Sequence, residues 1–193
     1  TSYRYINNKS FNEDTVKDAI KSLMDEGCSV IAASKTFGVD NMKDELLIQD
    51  IAREMGIEAT CASEISKLYG LTRRTRTAVI NSSILPKMID TANSTENAVR
   101  TAGIESPLMI MRGDGGVMDI EEMRKRPVLT MLSGPAASTV GALMYLKVSN
   151  GIFFEVGGTS TDIGVIKNGR PMIDYAVVGG NRTMVNSMDV HTG

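Results

Sequence analysis

One stretch, from Phe154 to Pro171, constrains the fold of this chain more than any other. Short apolar runs at 151–156 and 162–166 are rich in residues that favour β-strands, and a turn rich in glycine and hydroxyl groups separates them. The dipeptide Asn168-Gly169 after the second run is typical of a tight two-residue turn. The sequence therefore predicts a β-hairpin whose second strand leads directly into another turn.

The turn of this hairpin carries residue types that suit a phosphate ligand. Glycines let backbone N–H groups approach a ligand because no Cβ stands in the way. Hydroxyl groups add hydrogen-bond donors, and a carboxylate at each end could hold a metal ion or its water shell. These residues are Gly157, Gly158, Thr159, Ser160 and Thr161 in the turn, with Glu155 and Asp162 at its ends. The same residue types dominate ordinary turns, so residue chemistry alone leaves open whether the turn binds the phosphates of a Mg-nucleotide.

Helical and strand-like segments alternate in the first part of the chain. Residues 16–24 have helical apolar spacing after a capping candidate, Asn12, and residues 29–33 form a short strand-like run. A second helix that Asn41 can cap and a strand over 57–61 follow. Alternation of this kind favours an α/β layer with a largely parallel sheet.

The middle of the chain predicts several separate helices. Residues 72–85 have helical character, Pro86 can begin a new helix at its first position, and Ser94 can cap another that runs to Thr101. Beyond them the pattern predicts strands over 107–111 and 128–132 and a helix from Ser133 to about Leu146.

Four residues outside the hairpin are candidates for contact with an anion or a substrate. Arg74 lies near the start of the 72–85 helix, where the helix dipole prefers acids, although a solvated basic face is the ordinary interpretation. Asp114 follows a strand in a glycine-rich loop, where open α/β sheets usually bind ligands, although turn aspartates are common. Ser133 and Gly134 begin the last helix, whose free N-terminus suits an anion; close packing of a structural helix is the alternative.

Three motifs in the same order resemble the hydantoinase A/oxoprolinase family. They are Arg112–Met118, Leu132–Ala136 and Glu155–Asp162, and Arg74–Asn81 is a weaker fourth match. The resemblance covers roughly the chain from Cys28 onward and is densest from Pro107 to Pro171.

The resemblance implies an α/β fold of the actin-like, ribonuclease H-like ATPase type, present in part. Residues 1–148 would be the later part of one domain, and residues 149–193 the opening hairpin of the second. In this family a first phosphate hairpin lies upstream and a glycine-rich adenosine loop follows. We therefore expect the chain to be an internal piece of a larger ATPase.

The implied chemistry is the ATP- and Mg-dependent opening of small cyclic amides such as hydantoins or 5-oxoproline, through a phosphorylated amide. The turn residues and the N-terminus of the last helix would contact ATP, and Glu155 and Asp162 would hold Mg²⁺ and arrange its waters. The family usually has Asp where this chain has Glu155, which favours a non-catalytic nucleotide-binding or assembly relative as one alternative. An ATP-dependent ketone carboxylase subunit is another. As protein partners we expect a second hydantoinase-type subunit and further copies of the protein in an oligomer.

Composition argues against nucleic-acid binding, zinc or serine-histidine chemistry, and a membrane span. A net charge of −2 and a pI near 5.5 provide no basic footprint, so we expect no nucleic-acid partner. One histidine and two cysteines give little support to a zinc site or a serine-histidine triad. The sequence has no run of about 18 apolar residues and begins without secretory-signal character, so no membrane contact and a cytoplasmic location are the default expectations.

Overall fold

A computed structural model describes residues 1–192, and the chain divides into two compact units. The first unit is Thr1–Lys87 and the second is Met88–Gly193. The boundary expected from the resemblance, after residue 148, concerns the domains of a larger ATPase and stays a prediction.

The first unit has the alternating order that the sequence predicts. Its two strands pair in parallel, with Val30 opposite Glu58 and Ala33 opposite Cys61. The elements are α1 (Glu13–Asp25), β1 (Val30–Ala33), α2 (Lys43–Glu54), β2 (Glu58–Cys61), α3 (Ala62–Ile65) and the beginning of α4 (Leu71–Thr101).

The core of the first unit lies where α1 and α2 cover this strand pair. α1 begins after the predicted cap, because the Asn12 side chain accepts the Thr15 N–H at 2.9 Å. The predicted cap of α2 is displaced by one residue: Met42 precedes the helix, and the Asn41 side chain accepts the Lys43 N–H at 3.1 Å. The buried apolar residues are Val16, Ile20, Ile31, Ile51, Ala52, Ile57 and Ala59.

α4 is one helix of 31 residues where the sequence predicts three. Pro86 lies inside it, although a proline in a helix interior removes one backbone hydrogen bond and crowds the carbonyl four residues earlier. Ala78, Leu85 and Ala92 are all buried at a spacing of seven residues. Burial of one continuous face therefore outweighs the local break and cap signals, a common outcome when tertiary packing opposes propensity.

The strand pairs of the second unit are antiparallel, unlike the pair in the first. β5, β6 and β10 form a sheet in the order β10-β6-β5, where β5 (Gly151–Val156), β6 (Thr161–Lys167) and β10 (Val190–Thr192) are its main strands. The short β7 (Arg170–Pro171) also pairs with β6. The remaining elements are β3 (Met109–Met111), β4 (Val117–Asp119), α5 (Ile120–Lys125), a 3-10 turn (Pro127–Thr130), α6 (Ser133–Leu146), β8 (Ile173–Val178) and β9 (Asn181–Met188).

Two predictions in the second unit are corrected. The strand expected over 128–132 is the 3-10 turn, because Pro127 stands at its first position and the Thr130 hydroxyl donates to the Pro127 carbonyl at 2.8 Å. The loop after β3 is the turn of the β3–β4 hairpin rather than the ligand-binding edge of a parallel sheet. Within residues 1–192, none of the helices is both long enough and apolar enough to cross a bilayer.

Candidate functional site: the β5–β6 hairpin

The predicted hairpin is present with a defined register. Gly151 lies opposite Ile166 and Val156 lies opposite Thr161, which leaves a loop of four residues, 157–160, between the strands. The Gly157 N–H closes this loop by donating to the Ser160 carbonyl at 2.9 Å. The second predicted turn is confirmed too, since Asn168 and Gly169 have φ of 54° and 71°. Positive φ at both central residues is what a type I′ turn requires.

The two faces of the hairpin differ in chemistry. Residues directly opposite one another in an antiparallel pair share a face. Phe153 with Gly164 and Glu155 with Asp162 therefore lie on one face. The opposite face is apolar and exposed at Ile152, Phe154, Val156 and Val165. The two predicted acids are thus brought together, side by side at the end of the strands nearest the loop.

This carboxylate pair has the donor chemistry that Mg²⁺ prefers. Glu155 is exposed and Asp162 is half-buried, and like charges directly opposite in a sheet disfavour the strand pairing. A bound cation would offset that repulsion. Mg²⁺ is usually held by one or two protein carboxylates together with phosphate oxygens and water. Within the described chain no three His, Cys, Asp or Glu side chains form a metal cluster, so nucleotide phosphates and water would have to complete the coordination.

The loop between the acids is open to a ligand. Gly158 and Thr159 are exposed, and a Cβ on Gly158 would meet no atom within 4 Å. Ser160 and Thr161 are half-buried. Exposed backbone and hydroxyl donors between two carboxylates form an arrangement that can receive phosphate oxygens and a metal ion.

Helix α6 packs against both strands of the hairpin. Leu132 precedes the helix with φ of 58°, a left-handed conformation that costs free energy for a residue with a Cβ. It provides no side-chain cap, so the first N–H groups, at Ser133 and Gly134, keep the anion-attracting character of an uncapped helix end. The expected close packing of its small residues is not general: Ala136 is buried, whereas Ala137 and Gly141 are exposed.

Asp114 is held inside the β3–β4 turn. Its carboxylate pairs with the Arg112 guanidinium and accepts the Gly116 N–H at 3.0 Å. Position 113 requires glycine, because a Cβ on Gly113 would overlap the Met131 carbonyl oxygen. The turn therefore supports the segment that leads into α6, and contact of Asp114 with a substrate stays a prediction.

Arg74 belongs to the first unit and is buried, with 1% of its surface exposed. Its guanidinium donates to the Leu68 carbonyl at 3.2 Å and to the Lys35 carbonyl. Further along the same motif, the Asn81 amide donates to the Thr60 hydroxyl at 3.0 Å. These contacts fasten α4 to the loops and strands beside it, and the predicted anion contact of Arg74 stays a prediction.

Sequence reasoning missed a buried acid in the first unit. Glu45 is 1% exposed and accepts the Lys35 N–H at 2.7 Å, the Ser63 N–H at 2.8 Å and the Cys61 thiol at 3.1 Å. Burial, and then the hydrogen bond to Glu45, raises the pKa of Cys61 to about 12. No local pattern separates Glu45 from the exposed acids of α2, because its partners lie outside α2, in the loop after β1, at the end of β2 and in α3.

Known proteins match a region of the chain that includes the hairpin. The family model described as Hydantoinase/oxoprolinase matches residues 74–192. The acetophenone carboxylase gamma subunit of Aromatoleum aromaticum is 27% identical over 203 residues, covering 96% of this chain and 27% of the relative. The 5-oxoprolinase of Saccharomyces cerevisiae is 27% identical over 190 residues, covering 95% of this chain and 14% of the relative.

Two solved structures have the same fold. The nucleotide-free acetone carboxylase superposes with a TM-score of 0.80 at 22% identity, covering 94% of this chain and 27% of that one. The ATP-dependent caprolactamase of Pseudomonas jessenii superposes with a TM-score of 0.75 at 22% identity, covering 98% and 29%. The chain thus spans between about a seventh and three-tenths of these proteins. Its mixed α/β fold is the one they share, consistent with the actin-like ATPase fold.

Proposed function

The chain belongs to the hydantoinase/oxoprolinase family, and from that premise we propose that it forms part of an ATP- and Mg-dependent hydrolase that opens small cyclic amides of the hydantoin or 5-oxoproline type. The observation that carries this proposal is the hairpin geometry. Glu155 lies opposite Asp162, and an open four-residue loop with glycine and hydroxyl groups connects their strands.

The roles we propose follow from this arrangement. The loop from Gly157 to Thr161 and the α6 N-terminus at Ser133 and Gly134 bind the phosphates, and Glu155 and Asp162 hold Mg²⁺ and orient water. When bound, ATP supplies the phosphoryl group that converts the amide oxygen into a leaving group, and Mg²⁺ neutralises the phosphate charge. The fragment alone is not expected to turn over, since substrate selection would depend on other parts of the parent protein.

A second candidate function is an ATP-dependent ketone carboxylase subunit. It is favoured by the acetophenone carboxylase gamma subunit and the acetone carboxylase among the similar proteins. ATP consumption that depends on bicarbonate and a ketone, rather than on a cyclic amide, would identify it. Relatives named as subunits, including the caprolactamase alpha subunit, support a partner subunit for the parent protein in either case. Both functions suit a cytoplasmic protein with access to ATP.

A third possibility is a relative that binds nucleotide without hydrolysing it. Glu155 in place of the family's usual Asp favours it, because one additional methylene displaces the carboxylate from the position that metal geometry demands. Under this alternative the wild-type parent protein binds Mg-ATP without consuming it. ATP turnover by the wild-type parent would exclude it.

Calorimetric titration of Mg-ATP and Mg-ADP into this chain tests the site. Thr159→Ala should abolish the binding heat, whereas Thr95→Ala, an exposed threonine of α4, should leave it unchanged. The parent protein then tests the reaction on a panel of hydantoins and 5-oxoproline. A folded, Mg-loaded parent that neither binds nor consumes ATP would overturn the proposal.

A further inference from the structure

The centre of the hairpin contains an aromatic ring that lies directly over a glycine. Phe153 and Gly164 are opposite each other. On the same face, the next pair toward the loop is Glu155 and Asp162. A Cβ placed on Gly164 would overlap three carbons of the Phe153 ring. Gly164 is buried and Phe153 half-buried. Glycine inside a strand often marks such a close approach.

Burial alone specifies the register of β5 poorly. β5 is an edge strand of its sheet, and Ile152, Phe154 and Val156 on its outer face are between 63% and 79% exposed. Register is strongly specified where a face is buried and weakly specified where it is not. The Phe153 ring is the largest side chain of β5 on the inner face, so it has the greatest capacity to define the pairing.

A slip of two residues is the alternative that must be excluded, because it keeps each side chain on its own face. Such a slip would place Phe153 opposite Asp162 or Ile166 instead of Gly164. Both of those residues have a side chain where the ring now lies. It would also remove Glu155 from its position opposite Asp162, so the two carboxylates could no longer hold one ion.

We propose that Phe153 and Gly164 are positioning residues that together set the register of β5 on β6 and thereby keep Glu155 opposite Asp162. The consequence for Mg-nucleotide binding rests on the proposed function, whereas the register itself does not. Neither residue touches the ligand in this scheme. Their effect passes through the strand pairing to the carboxylates.

Cross-strand nuclear Overhauser contacts between β5 and β6 in the isotope-labelled chain measure the register directly. Gly164→Ala should remove the contacts of the present register, because the new methyl group overlaps the ring. The double variant Phe153→Ala with Gly164→Ala should recover only part of them, since an alanine pair fits this register but lacks the ring that excludes the slipped registers. Contacts between β8 and β9 serve as the internal measure of folding.

Matched controls lie close by. Phe154→Ala removes the neighbouring ring from the exposed face, and Gly141→Ala adds a methyl group where no atom lies within 4 Å. Both should retain the wild-type contacts. The inference is overturned if Gly164→Ala keeps the wild-type register, if the double variant is no closer to wild type than Gly164→Ala alone, or if the double variant recovers the wild-type contacts in full.

Titration with ATP, with and without Mg²⁺, separates this inference from the proposed function. If wild type binds Mg-ATP, Gly164→Ala should weaken binding at least tenfold more with Mg²⁺ than without it, and the double variant should regain part of the loss. Equal losses with and without Mg²⁺ would contradict the positioning role. A wild-type chain with the observed register, within a parent that binds no Mg-ATP, would refute the proposed function while leaving the register inference intact.

Discussion

The first unit and the β5–β6 hairpin both concentrate polar residues beside strands, but in opposite physical states. In the first unit Arg74, Glu45 and Asn81 are at most 1% exposed, and each is hydrogen-bonded to neighbouring backbone or side-chain groups. In the hairpin Glu155 and Thr159 are exposed. Both regions contain a motif of the same family. Burial and partners, rather than motif membership, therefore distinguish residues that hold the fold from residues positioned to meet a ligand.

This difference has an energetic origin. A buried polar group must find its partners within the protein, because leaving it unpaired costs about 1–3 kcal/mol and more if it is charged. An exposed polar group has water as its default partner and can exchange it for a ligand. Substitutions in the first unit should therefore change stability, and substitutions at the hairpin acids should change binding.

The largest effect is expected for Arg74→Ala. The substitution removes donors from the Lys35 and Leu68 carbonyls and leaves a cavity where a large side chain was buried. We expect unfolding in urea to show a loss of about 3–5 kcal/mol. Arg76→Ala, on an exposed position of the same helix, should change stability by less than about 0.5 kcal/mol.

The opposite pattern would assign Arg74 to ligand binding. In that case Arg74→Ala would remain as stable as Arg76→Ala and lose affinity for nucleotide or for a substrate carboxylate instead.

Alkaline pH should destabilise the first unit through Cys61. The pKa of this thiol rises from 9.0 to about 12 in the folded chain, so the unfolded chain loses the thiol proton first. The stabilisation is therefore complete below about pH 9 and is lost as the pH rises toward 12, by about 2–4 kcal/mol. Urea unfolding should show a steeper decline with pH for wild type than for Cys61→Ala. Equal slopes for wild type and Cys61→Ala would contradict the burial of a protonated thiol.

The parts of the fold that the sequence predicted are those that local chemistry decides. Asn168-Gly169 identified a turn because few other dipeptides accept positive φ twice, and Asn12 identified the start of α1 because its cap lies within three residues. The continuity of α4 through Pro86 was missed because the proline and cap signals are local, whereas the burial of Ala78, Leu85 and Ala92 is not. The structure of 127–130 was missed because an apolar run fits a 3-10 turn as well as a strand.

The candidate site divides in the same way. The turn residues and the two acids were predictable from composition and from the family resemblance, but that Glu155 and Asp162 are directly opposite is a property of the register. Phe153 was not singled out, although Gly164 inside a strand was a signal that something approaches closely. Glu45 had no comparable signal, because its three partners come from the loop after β1, the end of β2 and α3, 10 to 18 residues away.

The turn after β6 should show an intermediate effect that belongs to the backbone alone. Gly169 has φ of 71°, so Gly169→Ala forces a Cβ into the left-handed region and should cost about 1–2 kcal/mol. Asn168→Gly should be tolerated within about 0.5 kcal/mol, because Asn168 already has φ of 54° and glycine accepts it freely. Thermal or urea unfolding measures both variants. A smaller loss for Gly169→Ala than for Asn168→Gly would show that the turn is not under this conformational constraint.

The smallest effect on stability is expected at the hairpin acids, and it is the sharpest test of the comparison. Glu155→Gln keeps the size of the side chain and removes one of two like charges that lie opposite each other, so stability should stay within about 0.5 kcal/mol of wild type or rise slightly. The same change removes a charged ligand for Mg²⁺ and should lower Mg-ATP affinity about tenfold, which corresponds to about 1.4 kcal/mol. Glu105→Gln, at an exposed position of the same unit, should leave both quantities unchanged. Calorimetric titration and urea unfolding of wild type, Glu155→Gln and Glu105→Gln measure both quantities. If Glu155→Gln loses stability without losing affinity, Glu155 has a structural role like the buried polar residues of the first unit.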